Sequence, residues 1–320
     1  MDPYFRDERW SDVVPIPQPE SDMGCGQIAY QPKFAETMSY FRAILKLEEK
    51  SERALELTER VVQGNAANYT AWFFRRECLY ALKADLGKEL EFVTSYAYSS
   101  PKNYQIWYHR RAIVDRLGDG AMELDFLNDI INDDAKNYHA WAYRQFVLER
   151  FNLWDGEMEF VMGLIDIDIR NNSAWNQKWF LIEKTTGFTK EVREREIDYA
   201  FDKASVAPNN ESPYNYIRGL MRLDSFAELT KVESHAVDLL EKVRTTHGAV
   251  PGHTNAANPA PLLSLLVEVH RLQGRQSEAI QLCEDLATLY DTVRVKYWGY
   301  RKERICAMHD SAAPPIAPVD

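Results

Sequence analysis

The side chains that most often bind metals or act as nucleophiles are scattered along this sequence. The seven histidines include no HxxxH pair, and the four cysteines form no CxxC pair. No serine lies in a G-x-S-x-G setting, and no GxGxxG or Walker loop is present. The sequence therefore predicts no self-contained catalytic centre and favours a chain whose chemistry is completed by a partner.

Lys102 and His139 have the surroundings best suited to binding an anion. Lys102 directly precedes Asn103, and His139 follows Asn137 by two residues. Asparagine is a favoured helix N-cap, and a helix N-terminus attracts phosphate groups through its unpaired N–H groups and its dipole. The chemistry indicated is diphosphate binding. On the residues alone, however, the plainer interpretation is favoured, with Lys102 an exposed loop lysine and His139 a first-turn polar residue.

An internal repeat of about 34 residues supplies the helices that must position these side chains. Four tryptophans are separated by 35, 34 and 34 residues: Trp72, Trp107, Trp141 and Trp175. Each follows an asparagine by four residues and precedes a basic residue by three. The asparagines are Asn68, Asn103, Asn137 and Asn171, and the basic residues are Arg75, Arg110, Arg144 and Lys178.

A second signature begins 18 residues before three of these tryptophans. It reads glutamate, an apolar residue, aspartate or glutamate, and then phenylalanine. It occupies residues 89–93, 123–127 and 157–161. Each period therefore holds two helices, which must stack on their neighbours to bury their apolar faces. The fold class predicted is all-α, an α-α superhelical solenoid forming a right-handed crescent of about seven helical hairpins.

The repeat domain is predicted to span residues 28–307, between flexible tails at 1–27 and 308–320 that lack helical periodicity. Residues 34–62 are typical of one more hairpin, and residues 245–261 are typical of a long loop. We interpret the repeat tryptophans as hairpin packing. The basic residues could line a partner interface or pair with acids on the next hairpin, and the second interpretation is favoured.

The composition excludes some classes of function. A net charge of −11 and a pI of about 5.3 argue against nucleic acid as the main ligand. No apolar run reaches the length of about 18 residues that a membrane span needs. The dispersed cysteines are typical of free thiols in a reducing compartment, so we expect a cytoplasmic protein.

The repeat pattern distinguishes between two families with this period. Tetratricopeptide repeats place Leu-Gly three and four residues after the tryptophan, where this chain has Arg75-Arg76 and Arg110-Arg111. The pattern Asn-x-x-x-Trp-x-x-Arg instead resembles the repeat of protein prenyltransferase α subunits. Residues 65–72, 101–107, 134–141 and 170–177 are most similar to the subunit shared by farnesyltransferase and type I geranylgeranyltransferase.

This resemblance implies a heterodimer with a β subunit, which holds the catalytic zinc and most of the isoprenoid pocket. It also implies magnesium with the diphosphate of farnesyl or geranylgeranyl diphosphate. The implied reaction joins the isoprenoid through a thioether to the cysteine of a C-terminal CaaX sequence, in proteins such as small GTPases. The α chain would embrace the β subunit and contribute substrate contacts.

The resemblance also assigns roles to individual residues of the rim. Lys102 is implied as a catalytic residue, and with His139 it would contact the isoprenoid diphosphate. Three neighbouring residues would belong to the same site: Tyr104, Asn137 and Tyr138. Gln105 would bind the carboxylate of the CaaX peptide, and Tyr69 is a weaker candidate for a peptide contact.

Two alternatives remain open at this point. One is the α subunit of Rab geranylgeranyltransferase, which carries the same kind of repeat but is disfavoured by the matches at 101–107 and 134–141. The other is a helical-repeat interaction scaffold without an enzymatic partner. The presence of Lys102 and His139 at corresponding edges of neighbouring repeats argues modestly against the scaffold.

Overall fold

A computed structural model describes residues 7–19, 28–223, 226–247 and 257–312, with side chains described for all of these except residues 247 and 308–312. Within these ranges the regular secondary structure is helical throughout, which confirms the all-α prediction. None of the helices in these ranges is both long and apolar enough to cross a membrane. The chain divides into two compact units, residues 1–153 and 154–320, and the division falls between two repeats.

The first unit contains seven α-helices in its described part. They are α1 Pro32–Leu47, α2 Glu52–Gly64, α3 Tyr69–Leu82, α4 Leu86–Ser99, α5 Tyr104–Leu117, α6 Glu123–Asp133 and α7 Tyr138–Phe151. The helices pack as hairpins, α2 with α3, α4 with α5 and α6 with α7, and α3, α5 and α7 also pack in succession. The tryptophans of the first three repeats therefore lie on three neighbouring helices.

The second unit continues the same arrangement. Its helices are α8 Glu157–Ile167, α9 Asn172–Lys184, α10 Lys190–Val206, α11 Glu211–Arg222, α12 Leu229–His247, α13 Ala260–Leu272, α14 Gln276–Asp285 and α15 Val295–Ala312. Leu286–Tyr290 forms a single π turn before α15. A long loop was expected at 245–261, but residues 245–247 end α12 and residues 260–261 begin α13; residues 248–256 lie outside the described ranges.

The asparagines of the repeat are N-caps, as predicted. The Asn68 Oδ1 accepts the N–H of Ala71 at 3.0 Å, and the side-chain oxygens of Asn103, Asn137 and Asn171 accept first-turn N–H groups of α5, α7 and α9 two or three residues on. This capping satisfies N–H groups that have no partner inside the helix. Each tryptophan is consequently held at the fourth position of its helix.

The tryptophans are core residues, as predicted, and they also fasten the loop that precedes them. Trp72 is only 1% exposed, and its indole N–H donates to the carbonyl of Ala66 at 2.8 Å. The other three indoles make the same bond to a carbonyl six residues earlier, at Pro101, Ala135 and Ile169. The Tyr214 hydroxyl makes an equivalent bond to Pro208 at 3.0 Å in the following repeat.

Each capping asparagine also reaches the loop of the preceding repeat. The Asn103 Nδ2 donates to the Ala66 carbonyl at 3.0 Å, and the Asn137 Nδ2 donates to the Pro101 carbonyl at 3.0 Å. These two carbonyls are the same ones that accept the indole N–H groups of Trp72 and Trp107. One backbone oxygen therefore joins two successive repeats.

The basic residues after the tryptophans pair with acids, as favoured from the sequence: Arg75 and Arg110 with glutamates of the second signature, and Lys178 with Glu196 on α10. The Arg75 guanidinium donates to both oxygens of Glu89, at 2.7 and 2.6 Å, and its centre lies 4.2 Å above the ring of Phe92. Arg110 repeats this arrangement with Glu123 and Phe126. The glutamate and the phenylalanine of the second signature thus bind the arginine that follows the repeat tryptophan.

A third helix completes the environment of each buried glutamate. The His109 Nε2 donates to Glu89 at 2.7 Å, and the Tyr143 hydroxyl donates to Glu123 at 2.7 Å. Burial alone would raise the pKa of Glu89, but the hydrogen bonds from His109 and Arg75 outweigh it and hold that pKa below its ordinary value. Burial lowers the pKa of His109, so this ring is neutral and its Nδ1 accepts from Arg76.

The tails differ in part from the expectation. Residues 7–19 pack on the first hairpin, because Trp10 and Val13 are buried and the Arg42 Nε donates to the Ile16 carbonyl at 2.8 Å. Arg53 adds an ion pair to Asp12 at 2.6 Å. At the other end, α15 continues to Ala312 and includes residues assigned to the tail. Residues 1–6, 20–27 and 313–320 lie outside the described ranges.

Replacing Trp141 by alanine is expected to destabilise the first unit by about 3–5 kcal/mol, because it removes a buried aromatic side chain and the indole bond to the Ala135 carbonyl. Thermal unfolding of the purified protein measures this loss. Trp141→Phe should lose less, since it retains most of the buried ring. An unchanged melting temperature for the alanine variant would refute the core assignment.

Replacing Glu123 by alanine is expected to cost about 3–5 kcal/mol, because it leaves the buried Arg110 guanidinium without its counter-charge. The measurement is urea unfolding. Asp125→Ala, on the exposed side of the same helix, is the matched control and should change stability by less than about 0.5 kcal/mol. Equal losses for the two variants would contradict the role of the buried pair.

Candidate functional site

The predicted site residues lie on one edge of the first unit, which we call the rim. The rim comprises the loops 65–68, 100–103 and 134–137 with the first turns of α3, α5 and α7. Its loops lie side by side, because Asn103 bonds to the first loop and Asn137 bonds to the second. The helix N-termini of three repeats are therefore brought to the same edge.

Lys102 is an exposed cation of the rim, in the loop before α5. Its side chain is 76% exposed, and its Nζ lies 3.2 Å from the Asp134 Oδ2 in the next loop. The other oxygen of Asp134 accepts the N–H of Lys136 at 3.1 Å. The Lys136 N–H and the Lys102 ammonium hold the pKa of Asp134 below its ordinary value, so the carboxylate is ionised at neutral pH.

Three tyrosines occupy the first helical position of three successive repeats on the rim. They are Tyr69, Tyr104 and Tyr138, and all are exposed, Tyr138 to 78%. His139 follows on α7, is half-buried, and packs edge to face against Tyr138 with ring centroids 5.7 Å apart. These phenol and imidazole groups are available to a ligand that approaches the edge.

Asn137 and Gln105 are placed differently from the other predicted residues. Asn137 is 2% exposed; its oxygen caps α7 and its amide donates to Pro101. This side chain therefore positions the loop. Gln105 is 8% exposed and donates one amide hydrogen to the Ala67 carbonyl at 3.1 Å. An amide has two such hydrogens, so one donor remains.

Two features of the rim were not predicted from the sequence. The first is Asp134, whose position seven residues before Trp141 matches Asn65 before Trp72 and could have been found by aligning the repeats. The second is that exposure of aromatic side chains continues along the helices, at Phe73 on α3 and Tyr108 on α5. Exposed apolar surface of this kind marks interaction sites.

The chain's own chemistry at this edge is limited to binding and charge. Among the residues whose placement is described, no group of three or more histidine, cysteine, aspartate or glutamate side chains could hold a metal ion. Burial raises the pKa of the Cys78 thiol to about 11, so this cysteine is protonated and poorly nucleophilic at neutral pH.

Comparison with known proteins places these features in a family. The model for the protein prenyltransferase alpha subunit repeat matches residues 51–82, 86–117, 121–151 and 154–185. The chain is 38% identical over 321 residues to the protein farnesyltransferase/geranylgeranyltransferase type-1 subunit alpha of Solanum lycopersicum, covering 95% of this chain and 91% of that protein. The protein of the same name from Dictyostelium discoideum is 34% identical, with 95% and 94% covered.

A solved structure is similar over most of the chain. The match is to protein geranylgeranyltransferase-I of Candida albicans complexed with GGPP, with a TM-score of 0.80 and 29% identity, covering 92% of this chain and 98% of that one. This likeness confirms the helical solenoid. Relatives more than 30% identical span nearly the whole sequence. This chain therefore belongs to the protein prenyltransferase α-subunit family.

Proposed function

We propose that this chain acts as the α subunit of a heterodimeric CaaX protein prenyltransferase and that its rim binds the isoprenoid diphosphate. The reaction forms a C–S bond to the thiol of the CaaX cysteine and breaks the C–O bond to diphosphate, while the thiol loses its proton. Farnesyl and geranylgeranyl diphosphate are the proposed donors. The names of the curated relatives favour this function over a Rab-specific one. The proposed compartment is the cytoplasm.

The observation that carries this proposal is the exposed Lys102 ammonium at the N-terminal edge of α5, beside the N-terminal edge of α7. Negative charge builds on the leaving diphosphate as the C–O bond breaks. A cation at that place stabilises the transition state more than the ground state. The first repeat has Ala67 at the equivalent position, so the repeat does not need a lysine there to fold.

The other rim residues have supporting roles in the proposal. His139 and the hydroxyl groups of Tyr104 and Tyr138 would donate hydrogen bonds to phosphate oxygens. Asn137 would act indirectly, by capping α7 and fixing the loop. For the peptide, Gln105 has one uncommitted amide hydrogen that suits a terminal carboxylate, and Tyr69 lies exposed on the adjacent helix α3.

The proposed β subunit would supply what this chain does not. When bound there, zinc would activate the cysteine thiol as a thiolate, and magnesium would accompany the diphosphate. In the part of the chain that the structure describes, the donor groups do not fit a zinc site, so we assign no step to a metal held here. The exposed Phe73 and Tyr108 support a large apolar partner.

Lys102→Ala is expected to slow single-turnover prenyl transfer by the heterodimer about 10- to 100-fold, because charge on the leaving group loses its cation. Affinity for farnesyl diphosphate, measured separately, should change less. His139→Ala should show a milder loss. Lys88→Ala, which removes an exposed lysine on α4, should leave the rate unchanged. An unaltered rate for Lys102→Ala would remove this chain from the chemistry.

The isolated chain is expected to be helical and inactive. Prenyl transfer assayed with and without a coexpressed β subunit checks this, and zinc content after tag removal gives a second measurement. Activity or stoichiometric zinc in the single chain would contradict the division of labour. If the chain binds no prenyltransferase β subunit and coexpression yields no transfer to a CaaX peptide, the interaction-scaffold alternative is supported.

A further inference from the structure

Asp134 makes two different contacts with its two carboxylate oxygens. Oδ1 accepts the backbone N–H of Lys136 at 3.1 Å, which closes the turn before α7. Oδ2 lies 3.2 Å from the Nζ of Lys102, which belongs to the preceding repeat. One oxygen is thus fixed to the backbone, and the other meets the cation that the proposed function places at the diphosphate.

The turn itself does not require a carboxylate. In the first repeat, Asn65 occupies the equivalent position, and its Oδ1 accepts the N–H of Ala67 at 3.0 Å. An amide therefore closes the same turn. An ion pair as exposed as Lys102–Asp134 contributes little to folding stability. The charge at Asp134 is consequently not explained by the local fold.

The lysine side chain, in contrast, gains from being held. It has several rotatable bonds, and ordering such a chain has an entropic cost that grows with its freedom. An ammonium carries three N–H donors, so a contact to Asp134 leaves two donors for phosphate oxygens. A cation already ordered at the rim stabilises developing charge without reorganising during the reaction.

We propose that Asp134 is a positioning residue that holds the Lys102 ammonium at the rim for the departing diphosphate. This inference rests on the proposed role of Lys102. Asp134 itself repels the diphosphate, since both are anions. Removing its charge therefore has two opposite effects: the ground-state affinity for the diphosphate is unchanged or improves, while the chemical step slows.

Asp134→Asn tests the proposal, because asparagine keeps the turn and removes the charge. The measurement is single-turnover transfer from farnesyl diphosphate to a CaaX peptide by the heterodimer, in a cycle of four proteins: wild type, each single variant, and the double variant with Lys102→Ala. We expect Asp134→Asn to slow the wild-type reaction about 3- to 10-fold and the Lys102→Ala reaction less than about 1.5-fold. The dissociation constant of farnesyl diphosphate should not rise.

Asp119→Asn is the matched control, because the Asp119 Oδ1 accepts the N–H of Ala121 at 2.9 Å in the turn at the other end of α5. Its rate should equal that of wild type. If Asp134→Asn leaves the rate unchanged, slows both backgrounds equally, or only weakens diphosphate binding, the positioning role is refuted while the proposed function stands. If Lys102→Ala itself is as fast as wild type, the proposed function fails and the inference fails with it.

Discussion

The buried glutamate of each repeat is the group on which the helical stack depends. A carboxylate taken out of water is costly unless donors surround it, and Glu89 obtains them from Arg75 on α3 and His109 on α5. Glu89 itself belongs to α4, which lies between α3 and α5 in the sequence. One charge therefore ties three helices, and a shift of any helix by one turn would leave it unpaired.

Much of this architecture follows from the sequence because its determinants are local. Asn68 and Trp72 lie four residues apart, so cap and core position can be inferred without knowing the fold. The pairing of Arg75 with an acid of the next hairpin was also inferable. The hydrogen bond from His109 to Glu89 was not inferable, because these residues are twenty positions apart and meet only when α4 and α5 pack as a hairpin. The burial of Trp10 was not predicted, because a single buried residue outside the repeats has no periodic pattern that reveals it.

The candidate site was predictable in place but not in detail. Aligned repeats show which positions vary, and these include Lys102 and His139. Variation alone does not reveal which side chains are already engaged in structural hydrogen bonds. Asn137 was expected at the ligand, but it is 2% exposed, its oxygen caps α7 and its amide donates to the Pro101 carbonyl. The contact of Lys102 with Asp134 depends on how adjacent loops are aligned, and the asparagine bonds between loops determine that alignment.

The shared carbonyls of Ala66 and Pro101 have a consequence for how this chain can change length. The loops before α3, α5 and α7 each contain four residues, 65–68, 100–103 and 134–137, and those before α9 and α11 also contain four. The loops at the other ends of the helices contain between three and five residues, as at 83–85, 118–122 and 185–189. Each indole bonds to the carbonyl six residues before it, so the part of the four-residue loop between them tolerates neither an insertion nor a deletion. Evolutionary and engineered changes in length are therefore confined to the opposite edge, while the spacing of the rim is conserved by geometry.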